Sequence, residues 1–130
     1  QPLKGLKILC IDNEPKILEG MRLLLSGWGC EVKALNGLAD VISGDGRDGP
    51  PDLAIADYHL DDGTGIAAIL HLRRQFGADI PALLVTTDRT PEVRSEAERY
   101  GIAVQHKPVR PAALRAYITQ ISGLKRAAAE

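Results

Sequence analysis

Three short apolar runs, each followed by a polar residue, constrain most strongly what this chain can fold into. The runs cover residues 8–11, 53–56 and 82–85, and the polar residues that follow them are Asp12, Asp57 and Thr86. Runs of this length without polar alternation are typical of central strands in a parallel sheet that helices cover on both faces. Weaker strand candidates lie at residues 30–35 and 102–106.

The segments between these runs have helical periodicity. Apolar residues recur at spacings of four, three and four over residues 17–28, which predicts a first helix that ends near Gly27 and Gly29. Thr90 followed by Pro91 predicts the start of the fourth helix, whose few apolar residues predict loose packing. The alternation predicts an α/β fold, a flavodoxin-like (βα)5 three-layer sandwich with a parallel five-stranded sheet in the order 2-1-3-4-5.

The length and charge of the chain exclude several classes of protein. A chain of 130 residues is expected to form one domain, with a core that needs no disulfide or structural metal. The 16 Lys and Arg against 17 Asp and Glu leave a net charge of −1, which argues against nonspecific nucleic-acid binding. No apolar run approaches the roughly 18–20 residues of a membrane span. Cys10 and Cys30 are interpreted as buried thiols, which favours a cytoplasmic location.

The predicted domain covers residues 7–123, with an N-terminal extension at residues 1–6 and a C-terminal tail at residues 124–130. The Gly-, Pro- and Asp-rich segment 44–51 is predicted to be a surface loop rather than a linker. Met21 is the only methionine, so the chain is expected to be part of a longer protein or to have been trimmed.

Polar residues with complementary chemistry follow four of the predicted strands. They are Asp12, Asn13 and Glu14 after the first strand, Asp57 after the third, Thr86 and Thr87 after the fourth, and Lys107 after the fifth. Because the carboxyl ends of parallel strands share one edge of a sheet, these side chains are expected to converge. Carboxylate and amide oxygens suit Mg²⁺, lysine suits a phosphoryl group, and a carboxylate can act as a nucleophile toward phosphorus.

With these motifs, the chain resembles the receiver domains of two-component signalling, in the family of the chemotaxis response regulator. The resemblance extends over nearly the whole chain and rests on residues 11–15 and 57–60, on Thr86, and on Lys107 with Pro108. Residues 11–32 also resemble receivers at the C-terminus of hybrid sensor histidine kinases. The resemblance implies a domain that catalyses its own phosphorylation and dephosphorylation, in a parent protein that can be a hybrid histidine kinase.

The resemblance implies a role for each residue of the site. Asp57 is expected to accept a phosphoryl group from a histidine of a partner, either a histidine kinase or a histidine phosphotransfer protein. Thr86 is expected to bond the phosphoryl oxygens and Lys107 to pair with them, while the bond between Lys107 and Pro108 is expected to be cis. The expected Mg²⁺ ligands are Asp12, Asn13, the Asp57 carboxylate and the backbone carbonyl of His59.

Three positions depart from the family's pattern. Asn13 stands where a second carboxylate is usual, Thr87 where a small residue is usual, and Val104 where an aromatic residue is frequent. Asn13 predicts weaker Mg²⁺ binding, Thr87 predicts narrower access to the phosphoryl group, and Val104 predicts the loss of an aromatic rotamer switch. Glu14 is interpreted as favouring the start of the first helix, outside the metal site.

Four further polar residues are given local roles. His59 and Asp88 are interpreted as solvated loop residues with a modest kinetic effect. Asp61 and Asp62 are interpreted as favourable charges at the N-terminus of the third helix.

Two other functions stay open from the sequence alone. A degenerate receiver that acts as a protein-binding module is consistent with Asn13, although Asp57, Thr86 and Lys107 are all present. A phosphohydrolase with an aspartyl nucleophile is less favoured, because such enzymes usually carry a general-acid carboxylate where this chain has His59. The near-neutral charge and the lack of a long apolar run predict no nucleic-acid or membrane contact by this domain. The resemblance implies pairing with a second copy through the fourth helix, fifth strand and fifth helix.

Overall fold

The structure, a computed structural model, describes residues 3–44, 49–76 and 79–129, and within these ranges its main sheet has five strands. The strands are β1 (Lys7–Ile11), β2 (Glu31–Leu35), β3 (Leu53–Ala56), β4 (Ala82–Thr86) and β5 (Ala103–His106). Neighbouring strands are parallel and follow the order β2-β1-β3-β4-β5, which confirms the predicted flavodoxin-like topology. A separate antiparallel pair joins His59–Leu60 to Gly63–Thr64 after β3.

The helices follow the strands in the predicted alternation. They are α1 (Pro15–Gly27), α2 (Leu38–Ser43), α3 (Gly65–Phe76), α4 (Pro91–Arg99) and α5 (Pro111–Ala129). The predicted start of α4 is confirmed, because the Thr90 side chain accepts a hydrogen bond from the Val93 N–H. No helix within the described ranges is both long and apolar enough to cross a bilayer. The loop predicted at 44–51 includes residues 45–48, which lie outside the described residues.

Each face of the sheet has its own hydrophobic core, because successive strand residues point to opposite sides. Ile55 packs with apolar residues of α1 and α5, whereas Leu84 packs with those of α2, α3 and α4. Burial on both faces accounts for the unbroken apolar runs of the central strands. Cys10 and Cys30 are free and buried on the α1 and α5 side, as predicted, and burial raises the pKa of Cys10 to about 12.

The buried face of α1 differs by one residue from the predicted stripe. Its fully buried side chains are those of Leu18, Met21 and Leu25. The predicted positions Ile17, Leu24 and Trp28 are only half-buried. Apolar residues occupy adjacent positions along this helix, so two stripes fit the spacing equally well. The two stripes differ by one residue, which is a rotation of about 100° around the helix axis.

The first described residues pack in the core. Leu3 and Leu6 are only 1% and 5% exposed, and the Gly5 N–H donates a hydrogen bond to the Gly29 carbonyl at 2.9 Å. At the other end, α5 continues past the predicted boundary to Ala129. The boundaries at residues 7 and 123 stay predictions, but the described residues outside them continue the structure of the domain.

Leu3→Ala is expected to lower the free energy of unfolding by about 2–5 kcal/mol, because it removes a fully buried side chain and leaves a cavity. Urea unfolding followed by circular dichroism measures this change. Leu23→Ala is the matched control, since the Leu23 side chain is 58% exposed and should lose little stability. Equal unfolding midpoints for the two variants would contradict a core role for the N-terminal residues.

Candidate functional site

Lys107 joins two carboxylates at the carboxyl edge of the sheet. β1 and β3 are neighbours, so Asp12 and Asp57, which directly follow them, lie side by side. The Lys107 Nζ donates to Asp12 Oδ2 at 3.0 Å and to Asp57 Oδ2 at 3.1 Å. These side chains are only 9–12% exposed. The structure therefore brings these three predicted residues together, and the bond between Lys107 and Pro108 is cis.

The two carboxylates hold Lys107 in its charged form. Burial alone would lower the pKa of the Lys107 ammonium, but its hydrogen bonds to Asp12 and Asp57 and their negative charges together raise that pKa. The site thus keeps a positive charge beside the Asp57 carboxylate throughout the physiological pH range. Such a charge is suited to the oxygens of a phosphoryl group.

Glu14 adds a third carboxylate to this edge. Side-chain oxygens of Asp12, Glu14 and Asp57 all lie within 4.8 Å of one another, a grouping that is compatible with a divalent cation. The Glu14 N–H donates to Asp12 Oδ1 at 2.9 Å, which turns the loop back toward the site. Glu14 therefore lies beside the predicted metal site, and its interpretation as a residue outside that site stays a prediction. The sequence signal for this turn is an Asp side chain that can accept the N–H of the residue two positions later, here Glu14.

Asn13 provides a test of whether these residues fit a cation. Its Oδ1 is buried and has no hydrogen-bond partner, and it is the one such side-chain atom reported among the described residues. A buried acceptor without a donor is costly unless something else occupies its lone pairs. An amide oxygen is an acceptable Mg²⁺ ligand, so the residues of this loop fit a magnesium ion.

Thr86 is fully buried at the end of β4. The register pairs Ala56 of β3 with Leu84 of β4, so Thr86 lies one residue beyond the level of Asp57. Its Oγ1 accepts a hydrogen bond from the Asp88 N–H at 3.2 Å. The neighbouring Thr87, in contrast, is exposed.

The two residues after Asp57 each form a hydrogen bond with the region of α4. The Tyr58 hydroxyl donates to Glu96 Oε1 of α4 at 2.9 Å, and His59 Nε2 lies 2.7 Å from Asp88 Oδ2. Hydrogen bonds from Thr90 and from His59 lower the pKa of Asp88 to about 2, so this carboxylate is charged. His59 is 65% exposed, as expected of a solvated loop residue, whereas Asp88 is only 14% exposed and contacts His59, a pairing that the sequence did not predict.

Asp62 caps a different helix from the predicted one. Its Oδ1 accepts the Leu38 N–H at 2.9 Å and its Oδ2 accepts the Ala39 N–H at 2.8 Å, both at the start of α2. A side chain at Gly37 would place its Cβ only 2.7 Å from Asp62 Oδ1, so glycine makes room for this cap. The loop after Asp57 is thus attached to α2 as well as to α4.

The position of Val104 leaves space between α4 and β5. Val104 is half-buried and lines a groove of about 480 Å³ together with Val93 and Ile102. The imidazole of His106 also lines this groove, whereas no Phe, Tyr or Trp among the described residues does. The loss of an aromatic rotamer switch at residue 104 stays a prediction.

The sequence matches the response regulator receiver domain family over residues 8–119. A curated relative is the transcriptional regulatory protein KdpE of Mycobacterium tuberculosis, which is 32% identical over 88 residues. That match covers 68% of this chain but only 38% of the relative, so the chain corresponds to a part of such proteins.

Two solved structures illustrate the likeness in fold. A CheY-like receiver domain protein from Methanospirillum hungatei JF-1 has a TM-score of 0.78 and 24% identity, with 95% of this chain and 97% of that chain covered. A receiver domain from Clostridium thermocellum has a TM-score of 0.81 and 21% identity, with 92% and 96% covered. Together with the acidic cluster at the carboxyl edge, the family match leads to one conclusion: this chain belongs to the response regulator receiver domain family.

Proposed function

We propose that the chain accepts a phosphoryl group on Asp57 from a histidine of a partner protein, as a step in two-component signal transduction. The observation that carries this proposal is the position of the Asp57 carboxylate. It lies 3.1 Å from the Lys107 ammonium, within a carboxylate cluster, and is 12% exposed. A nucleophile for phosphoryl transfer needs this combination of limited solvent, fixed orientation and nearby positive charge.

The transfer is an in-line displacement at phosphorus. A carboxylate oxygen of Asp57 forms the new P–O bond while the P–N bond to the partner's imidazole breaks, and the imidazole nitrogen keeps the electron pair. Lys107, which already contacts Asp57, is placed to neutralise charge on the phosphoryl oxygens. The hydroxyl of Thr86 is proposed to donate to those oxygens after transfer. If Thr86 then loses the hydrogen bond from the Asp88 N–H, the segment that leads into α4 would move.

Mg²⁺ would supply further neutralisation of the phosphoryl oxygens when it is bound. The residues that would hold the ion are Asp12, Asn13, the Asp57 carboxylate and the His59 carbonyl. The oxygens of Asp12 and Asp57 lie together at this edge, and the Asn13 Oδ1 lacks a partner. Their role here is to orient the Asp57 carboxylate and to hold the cation beside it.

Incubation with Mg²⁺ and acetyl phosphate, followed by intact mass spectrometry in acid, tests the proposal. The wild-type chain is expected to gain the mass of one phosphoryl group, in an adduct that base hydrolyses, as an acyl phosphate should be. Asp57→Asn is expected to remove the adduct completely, because the amide is not a nucleophile toward phosphorus.

Asp61→Asn is the matched control, since Asp61 is an exposed carboxylate in the same loop and should leave the adduct unchanged. An adduct that persists in Asp57→Asn would disprove the assignment of the phosphoacceptor. Failure of the wild type to react with any phosphodonor would instead favour a protein-binding module, and continuous release of phosphate from esters would favour a hydrolase.

Receiver domains of this family interact with histidine kinases, and we propose a histidine kinase or a histidine phosphotransfer protein as the phosphodonor of this chain. The KdpE relatives are named as transcriptional regulators, and their matched part is 38% of their length. A cytoplasmic location, pairing through α4, β5 and α5, and the absence of nucleic-acid contact by this domain stay predictions.

A further inference from the structure

We propose that Glu14 is a ligand of the divalent cation and replaces the carboxylate that Asn13 lacks. This inference rests on the proposed function, since it concerns the metal that assists phosphoryl transfer to Asp57. It gives a metal-binding role to a residue for which the resemblance implied none.

The first support is proximity. An oxygen of Glu14 lies within 4.8 Å of oxygens of both Asp12 and Asp57, a grouping that could hold one cation. Ligand oxygens at 2.0–2.1 Å from Mg²⁺, on adjacent octahedral positions, are separated by about 3 Å, so the three carboxylates would draw closer together when the ion binds.

The second support is that the Glu14 side chain does not cap the helix that it precedes. Glu14 occupies the cap position of α1, with an extended backbone at φ −93° and ψ 110°, but its side chain makes no capping hydrogen bond. Pro15 fills the first turn of α1 without an N–H to cap. The carboxylate is therefore available to a cation, whereas its own N–H holds the Asp12 side chain in place.

The third support is charge. Asp12, Glu14 and Asp57 carry three negative charges and Lys107 carries one positive charge, which leaves a net charge that one divalent cation neutralises. Without Glu14, a cation would leave this edge positively charged. The neutral Asn13 still contributes its unpartnered Oδ1, so the loop supplies one carboxylate and one amide oxygen on adjacent residues.

Isothermal titration of the purified chain with Mg²⁺, without a phosphodonor, tests this inference. Glu14→Gln is expected to raise the dissociation constant about tenfold, since it removes one charged ligand of nearly unchanged size. Glu31→Gln is the matched control, because Glu31 is an exposed carboxylate at the opposite, amino end of β2 and should not alter binding.

The second arm uses Asn13→Asp, which restores the usual carboxylate. Asn13→Asp alone should bind Mg²⁺ more tightly than the wild type, and adding Glu14→Gln to it should change affinity less than about twofold. Equal affinities of Glu14→Gln and Glu31→Gln would overturn the inference. An undiminished effect of Glu14→Gln in the Asn13→Asp background would also overturn it, because Glu14 would then act as a distant charge. Formation of the Asp57 adduct is measured separately, so failure of this inference and of the proposed function are distinguishable.

Discussion

Gly65→Ala is expected to lower the free energy of unfolding by about 3 kcal/mol or more, because the added methyl group has no space. A Cβ at residue 65 would lie 2.1 Å from the backbone oxygen of Asp57 and 3.1 Å from the Cβ of Ala56. Both contacts are with atoms that the backbone fixes at the carboxyl end of β3, and these atoms cannot rotate away. The Gly65 N–H also donates to the Tyr58 carbonyl at 2.9 Å, so relief of the clash would break this link.

Urea unfolding of Gly65→Ala should be compared with that of Gly20→Ala. Gly20 is exposed within α1 and nothing lies within 4 Å of its Cβ position, so Gly20→Ala should stabilise the protein by about 0.5–1 kcal/mol. Since the Gly65 clash displaces Asp57, the folded fraction of Gly65→Ala should also react more slowly with acetyl phosphate. A Gly65→Ala protein as stable as the wild type would contradict this close approach of α3 to β3.

Lys107→Met is expected to cost about 3 kcal/mol when divalent metal is chelated, because it leaves two nearly buried carboxylates unpaired. Part of this loss should be recovered on adding Mg²⁺, since a cation can take over the neutralisation of Asp12 and Asp57. Removal of the lysine charge should also tighten Mg²⁺ binding. Thermal unfolding in chelator and in Mg²⁺ measures both effects.

Lys125→Met is the matched control for Lys107→Met. Lys125 also pairs with a carboxylate, that of Asp52, but its side chain is 56% exposed, and such surface pairs are worth about 0–1 kcal/mol. The pH dependence gives a second check. The raised pKa of Lys107 means that its stabilising contribution is complete below the usual lysine pKa of 10.5 and is lost as pH rises through the higher folded-state value. Equal costs of the two substitutions in chelator would contradict the paired, buried state of Lys107.

The strands and the centre of the site could be predicted because one pattern determines both. An unbroken apolar run identifies a strand buried on two faces, and the residue after it must emerge at the carboxyl edge. Asp12 and Asp57 are placed by this rule alone, and Lys107 follows from the last strand. To predict that these three residues converge, only the order of the strands in the sheet is needed. Short right-handed connections leave few possible strand orders.

The remaining features depend on the paths of loops, which periodicity does not report. Glu14 joins the acidic cluster because a turn at Asp12 brings it back, and Asp62 caps α2 rather than α3 because the chain after β3 approaches α2. Leu3 is buried although it precedes the first strand, and a single apolar residue there has no periodicity to interpret. Each of these roles requires the direction of one side chain in three dimensions.

The hydrogen bonds of Tyr58 and His59 have a consequence for the population of alternative positions of α4. Each joins a residue after Asp57 to a carboxylate in the region of α4, Glu96 or Asp88. A rearrangement at Asp57 that breaks both hydrogen bonds together would free α4 from Tyr58 and His59 in a single step. The position of α4 would then respond more strongly than if only one bond were broken.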